Sequence, residues 1–140
     1  MTTTKTILAT AVGAVFNFLG GWLVFGIVLV NFYQSNTKTY EGLSKGDMPD
    51  LLFIFLSGIF TAYLTNFLLR KAGQGFSFAT GFKHGVVVYF CAAAWVNLSI
   101  YAFYNLMNLT LIFTDIFVQA IFGGINGGIM ALVLGSGKKE

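Results

Sequence analysis

The residues of this chain that could do chemistry are few, and most lie close together in the sequence. Asp115 is the only acidic residue within its long apolar segments. An ionisable side chain inside a membrane span is by default a candidate for an ion, proton or ligand site. Polar side chains near it complete a candidate polar cluster: Asn97, Tyr101, Tyr104, Asn105, Asn108, Asp115 and Gln119. If this protein binds something through polar contacts, we expect the contacts there.

A structural role accounts for the same residues. Asp115 falls about one turn inside the predicted fourth span, and an acid near a helix N-terminus is favoured by the helix dipole. Asn108 or Thr110 could cap that helix. The sequence therefore leaves two roles open for Asp115, one as a structural anchor and one as a ligand, ion or proton site.

Other kinds of site are poorly supported. His84 is the only histidine and Cys91 the only cysteine, too few for a usual zinc site or for bis-histidine haem ligation. Cys91 lies in the apolar run VVVYFCAAAW, which predicts a small buried core residue. There is no CxxC pair, phosphate loop or HExxH motif. We predict no catalytic residues, metal or cofactor, and a non-enzymatic protein is favoured.

The elements that position these residues are predicted from composition. Of the 140 residues 56% are hydrophobic and only 9% charged, whereas a soluble domain carries about 25% charged residues. Apolar stretches of about 20 residues span a bilayer as helices. We predict a single domain over residues 1–140, an all-α bundle of four transmembrane helices, with spans at about 7–32, 51–69, 80–106 and 111–134.

The distribution of positive charge predicts the orientation. With four spans, both termini and the loop at 70–83 share one side of the membrane. Six lysines and arginines fall on that side: Lys5, Arg70, Lys71, Lys83, Lys138 and Lys139. The other side has two, Lys38 and Lys45. The positive-inside rule then places both termini in the cytoplasm. The basic residues are too few and scattered to indicate nucleic acid.

A tight turn near residues 108–110 is expected to join the third and fourth spans as an antiparallel hairpin. Asn97, Tyr101, Tyr104 and Asn108 have the spacing of one helix face. The turn would set Asp115 opposite Tyr104, Gln119 near Tyr101 and Gly123 near Asn97.

Small residues predict how the helices pack, because close backbone approach drives helix association in lipid. The fourth span holds GGINGG, with Gly123, Gly124, Gly127 and Gly128 in two overlapping small-xxx-small pairs. The first span has a similar face of Ala9, Gly13, Asn17 and Gly21. These faces could pack on each other, on other helices or on another subunit, or form a groove for a lipid or partner.

Two motifs carry a family resemblance over nearly the whole chain. YAFYNLMNLT, followed by Asp115, resembles the tyrosine-rich end of helix three, the polar turn and the early helix-four aspartate of a group of uncharacterised small bacterial integral membrane proteins. FLGGWLVFG looks like their N-terminal opening. The resemblance implies four helices in a bacterial inner membrane. The family has no established activity, so the resemblance implies none for this chain. Asn105 stands where an aspartate is often found, which puts any shared acidic site in doubt.

Three functions stay open. The leading hypothesis is a non-enzymatic accessory or oligomeric membrane subunit, with lipid, other membrane subunits or a second copy as partners. The second is a small transporter or channel whose path follows Asn17, Asn97, Tyr101, Tyr104, Asn108, Asp115, Gln119 and Asn126. The third is a lipid- or quinone-binding membrane module.

Overall fold

The apolar runs form helices in the structure, a computed structural model that describes residues 3–46, 48–73 and 75–136. The elements in chain order are α1 (Thr3–Leu23), a five-residue π-helical segment (Val24–Val28), α2 (Val30–Asn36), α3 (Leu51–Ala72), α4 (Phe78–Phe103) and α5 (Leu109–Gly135). The fold of the described residues is all-α, with helices and no strands, as predicted. Four helices are long and apolar enough to cross a membrane: Thr3–Val28, Leu51–Ala72, Phe78–Phe103 and Leu109–Gly135.

Polar side chains set where the helices begin. Asp50, Ser77 and Asn108 are the N-caps of α3, α4 and α5, and each accepts a hydrogen bond from a backbone N–H of the first turn. Such a bond satisfies one of the donors that a helix leaves free at its start. The predicted capping role of Asn108 is confirmed. α3 ends at Gly73, whose φ of 63° is the left-handed conformation that glycine adopts without steric cost.

The start of α1 lies beside the end of α5. The Lys5 ammonium donates a hydrogen bond to the carbonyl oxygen of Ser136. We call this the basic end of the bundle, since the described cations Lys5, Arg70, Lys71 and Lys83 belong to it. The opposite, loop end carries residues 37–46, 48–50 and 104–108. Lys138 and Lys139, which contribute to the predicted charge bias, lie outside the described residues.

α4 and α5 form a hairpin in which backbone packs directly on backbone. A Cβ added to Gly85 would overlap the carbonyl oxygen of Gly123, and one added to Gly127 would overlap that of Gly81. Only glycine allows such an approach at both positions. On the neighbouring face, Gly124 and Gly128 accommodate the rings of Phe82 and Phe78. The four glycines of GGINGG are therefore in contact with α4 of the same chain.

The predicted register of this hairpin is wrong. The Asn97 amide bonds to Asp115, at 2.6 Å, where Tyr104 was expected. The shift is seven residues, about two helical turns. The cause is the connection, because α4 stops at Phe103 and residues 104–108 are not helical. The Lys38 N–H bonds to the Leu106 carbonyl at 2.8 Å, so the first long loop holds this segment extended.

A layer of buried apolar side chains, the apolar layer, fills the bundle toward the basic end. Its side chains come from α1, α3 and α5, and none is more than 2% exposed: Ala9, Ala14, Ala62, Leu69, Met130, Ala131 and Leu134. Gly13 belongs to this layer, where an added Cβ would lie 2.5 Å from the Met130 sulfur.

The prediction for Cys91 is wrong, because its side chain lies exposed on α4. A uniformly apolar run has no periodicity that would separate the two faces of its helix.

Candidate functional site

Asp115 is held between two helices at its carboxyl group. The Tyr33 hydroxyl of α2 donates a hydrogen bond to Oδ1, and the Asn97 amide of α4 donates one to Oδ2 at 2.6 Å. Asp115 is 8% exposed. It lies six residues beyond the start of α5, or about 9 Å along the helix. Because dipole effects fade within the first turn, the helix dipole does not account for an acid at this depth.

A π-helical segment brings Tyr33 to this position. The five residues Val24–Val28 are wound as a π-helix, and Leu29 leaves helical geometry with φ −103° and ψ 2°. The chain then restarts as α2, which packs against α5. π-helical turns often occur at functional sites, since the extra residue changes the direction of the side chains that follow. Here the change of phase lets Tyr33 face Asp115.

A second polar group, the central amide network, joins four helices deeper in the bundle. It consists of Asn17, Thr61, Tyr89 and Asn126. The Tyr89 hydroxyl donates to Asn17 Oδ1 at 2.6 Å, and Asn126 Nδ2 donates to the same oxygen at 2.8 Å and to the Tyr89 hydroxyl at 2.9 Å. Asn17 Nδ2 donates to Thr61 Oγ1 at 3.0 Å and to the Gly58 carbonyl at 2.9 Å. Hydrogen bonds between helices stabilise membrane bundles modestly.

A cavity of about 320 Å³ connects the two polar groups. We call it the Asp115 cavity. Its polar wall contains Asn17, Ser57, Thr61, Tyr89, Asn97, Asp115 and Gln119. Apolar and aromatic side chains, including Phe25 and Phe122, form the rest. Asp115 and Gln119 are one turn apart on α5, so both present to the same space. Gly21 also lines the cavity, and a Cβ built there would meet no atom within 4 Å.

Some members of the candidate polar cluster meet in this cavity and others do not. Asn97, Asp115 and Gln119 line it. Tyr101 and Tyr104 are exposed, at 45% and 65%. Asn105 and Asn108 lie at the loop end, outside the cavity.

These last two residues hold the loop end together. Asn105 accepts a hydrogen bond from the Lys38 ammonium at 2.7 Å, and its backbone carbonyl accepts one from the Tyr40 hydroxyl at 2.8 Å. The Asn108 amide donates to Asn36 at 2.7 Å. Tyr104 and Asn105 also line a separate cavity of about 430 Å³ at this end of the bundle. The contacts of Asn105 and Asn108 therefore stabilise the connection between α4 and α5 and not the surroundings of Asp115.

Three residues of the site were not anticipated from the sequence. Tyr33 resembled an interfacial tyrosine at the end of the first span, Tyr89 stood in an apolar run, and Thr61 had no distinguishing spacing. Asn17 was expected on a packing face and on the path of a possible channel, and it is part of the cavity wall. One signal in the sequence could have identified these residues. Uncharged hydrogen-bonding side chains stand at mid-span depth, where lipid cannot satisfy them, so each requires a partner within the protein.

The Asp115 cavity combines mostly apolar walls with a few polar side chains. Among the described residues no three His, Cys, Asp or Glu side chains are close enough to hold a metal ion. His84 belongs to the basic end, where its Nδ1 lies 2.8 Å from the Thr80 carbonyl oxygen. A pocket of mostly apolar walls with a few convergent polar groups is the usual form of a small-molecule site.

No protein-family model, curated protein or solved structure matches this chain. The resemblance to small bacterial membrane proteins therefore rests on the sequence motifs alone, and the function must be argued from the cavity.

Proposed function

We propose that this chain is an integral membrane protein that binds a small amphipathic molecule in the Asp115 cavity. In this proposal the four long apolar helices cross the cell membrane of a bacterium, with the basic end and both termini in the cytoplasm. The excess of lysine and arginine at that end supports this orientation. Of the three functions left open by the sequence, the proposal develops the lipid- or quinone-binding module.

The observation that carries the proposal is the polar wall of a cavity inside a bundle of largely apolar helices. Polar groups at membrane depth are costly unless they are paired or face a polar space. The α4–α5 pair shows that this chain can bring backbones into contact through glycine. Around Asp115 and Asn17 it instead leaves about 320 Å³ open, which is within the usual range of ligand pockets, roughly 300–1,000 Å³.

The same geometry favours binding over conduction. A pore through the bundle would have to continue from Asn126 toward the basic end. That route meets the apolar layer, in which Ala62, Met130 and Ala131 are each fully buried. Four of the eight residues on the path proposed for a channel do not line the cavity: Tyr101, Tyr104, Asn108 and Asn126. The cavity thus has a closed floor, as a binding pocket requires.

The accessory or oligomeric subunit receives less support from the packing. Its motivations were the glycine faces of the first and last helices, short loops and the lack of a catalytic set. The glycine face of the last helix is covered by α4 of the same chain, and Gly13 of the first helix packs on Met130 and Ala62. A partner could still bind elsewhere on the apolar exterior, but no feature of the described surface selects one.

A cavity-filling substitution tests the proposal. Gly21→Leu places a side chain where the structure has open space, and we expect it to leave the fold intact and to exclude the bound molecule. Ala11→Leu is the matched control, since Ala11 lies exposed on α1 outside the cavity. Both variants and the wild type are purified in mild detergent, and small molecules are extracted and quantified by mass spectrometry.

The expected result is one compound that co-purifies in stoichiometric amount with the wild type and with Ala11→Leu, and that Gly21→Leu loses. Equal retention by all three proteins would place the compound outside the cavity. If no preparation retains a compound, and none is taken up from added host lipid extract, the proposal is wrong.

A further inference from the structure

Apart from Gln119, the side-chain hydrogen-bond donors at the Asp115 cavity are already engaged within the protein. Asn97 Nδ2 donates to Asp115 and to the Ala93 carbonyl. The Tyr89 hydroxyl of the wall donates to Asn17, and Tyr33, which does not line the cavity, donates from its hydroxyl to Asp115. Each of these donors points at an oxygen of the protein. A ligand that only accepts hydrogen bonds would therefore find few donors directed toward it.

The remaining polar residues of the wall follow the same rule. The Ser57 hydroxyl donates to the Ile54 carbonyl at 2.8 Å. The Thr61 hydroxyl lies 3.1 Å from the Gly58 carbonyl oxygen. Asn17 Nδ2 is bonded to α3, as described above. Only the Gln119 amide makes no hydrogen bond with another described residue, and it can both donate and accept. Apart from Gln119, the polar groups that the wall leaves to a ligand are consequently acceptors.

The charge of the wall points in the same direction. Among the residues that the structure describes, Asp115 is the only carboxyl group of the wall, and no lysine, arginine or histidine lines the cavity. Within the described ranges Asp115 forms no ion pair, and its two partners, Tyr33 and Asn97, are neutral. A carboxyl group at membrane depth normally pairs with a cation. Among the described residues, the cavity wall supplies no cation that pairs with the Asp115 carboxyl group.

Aromatic rings complete the wall. Phe25, Tyr89 and Phe122 line the cavity and contact one another, with ring centroids 5.8 Å apart for Phe25 and Phe122 and 6.3 Å apart for Tyr89 and Phe122. Aromatic faces attract ammonium groups, most strongly in sites from which water is excluded. A carboxyl group and aromatic rings around one space are complementary to a positively charged head on an apolar body.

We propose that the ligand of the Asp115 cavity is a compact organic cation, an ammonium group carried on an apolar body, with the ammonium at Asp115 and the body among the aromatic rings. This inference rests on the proposed function, because it requires that the cavity binds a small molecule. It excludes ligands recognised chiefly through carbonyl oxygens, such as quinones, and ligands with an anionic head.

Two probes of the same shape isolate the charge. Benzyltrimethylammonium and neopentylbenzene differ only in the central atom, which is a nitrogen cation in the first and a neutral carbon in the second. Binding of each is measured by calorimetric titration of the detergent-solubilised protein, with blank micelles subtracted. We expect the wild type to bind the cation at least about tenfold more tightly, equivalent to 1.4 kcal/mol.

Three variants locate the charge preference. Asp115→Asn should abolish the preference. Gln119→Lys should do the same by supplying a cation one turn from Asp115, and it keeps the carboxyl group and its hydrogen bonds. Asp50→Asn is the control, since it removes an acid outside the cavity and asparagine caps a helix as well as aspartate does. This control should retain the full preference.

The outcomes separate this inference from the proposed function. If both probes bind equally and Gly21→Leu blocks both, the cavity binds molecules but the charge inference is wrong. A cation preference that survives in both Asp115→Asn and Gln119→Lys also overturns it. If neither probe binds the wild type, the cation inference fails. The proposed function fails with it only if the wild type also takes up no compound from host lipid extract.

Discussion

The backbone contact between α4 and α5 makes a sharp prediction about Gly85. In Gly85→Ala the new methyl carbon would overlap the carbonyl oxygen of Gly123 and lie 2.8 Å from its carbonyl carbon. Carbon atoms pack at about 3.5–4.0 Å, so the two helices must separate by roughly 1 Å. The obstructing atoms are backbone, and no side-chain rotation can relieve the overlap. Overpacking of this kind costs about 1–3 kcal/mol.

Gly21→Ala is the matched control, because it makes the same chemical change in a helix where the methyl group meets no atom within 4 Å. Alanine is favoured over glycine within a helix by about 0.5–1 kcal/mol. The two substitutions should therefore change the free energy of unfolding in opposite directions, with Gly85→Ala destabilising and Gly21→Ala neutral or stabilising.

The assay is unfolding in mixed micelles of mild detergent and sodium dodecyl sulfate, followed by circular dichroism. We expect the midpoint for Gly85→Ala at a lower fraction of dodecyl sulfate than wild type, and the midpoint for Gly21→Ala at an equal or higher fraction. A Gly85→Ala protein as stable as Gly21→Ala would refute the hairpin register, and with it the placement of Asn97 beside Asp115.

The other contacts give smaller effects that the same assay can measure. Tyr89→Phe removes two hydrogen bonds of the central amide network and should cost about 1 kcal/mol, at roughly 0.6 kcal/mol for each bond; Tyr63→Phe, on the exposed side of α3, should cost nothing measurable. Asp50→Ala should destabilise by about 1 kcal/mol through loss of the N-cap of α3, and Asp50→Asn should restore wild-type stability. Tyr33→Phe should lower stability by no more than Tyr89→Phe, since it removes one bond to Asp115, and a larger loss would contradict the described role of α2.

Much of the fold follows from local patterns in the sequence. Four apolar stretches of spanning length predict four long helices, and the structure has them. The capping role of Asn108 follows from its residue type and its position before an apolar run. The glycines of GGINGG predict close helix packing without naming the partner, and the structure shows contact with Gly81 and Gly85 of α4.

The site itself depends on contacts between distant segments. The end of α4 at Phe103 results from pairing of residues 104–108 with the loop near Lys38, which no local pattern reveals. That pairing sets the register that puts Asn97 on Asp115. Tyr33 reaches Asp115 only because a π-helical segment changes the phase of the chain, and the run VFGIV has no signal for a π-helix.

Occupancy of the Asp115 cavity is the most direct test of the proposed function. Deuterated, ¹⁵N-labelled protein in deuterated detergent is mixed with protonated lipid extract from the host cells, and nuclear Overhauser effects are recorded from the side-chain amides of Asn97 and Gln119. The account predicts cross-peaks from both amides to carbon-bound protons of a molecule other than the protein, and their loss in Gly21→Leu. Cross-peaks from these amides to water alone, unchanged in Gly21→Leu, would contradict it.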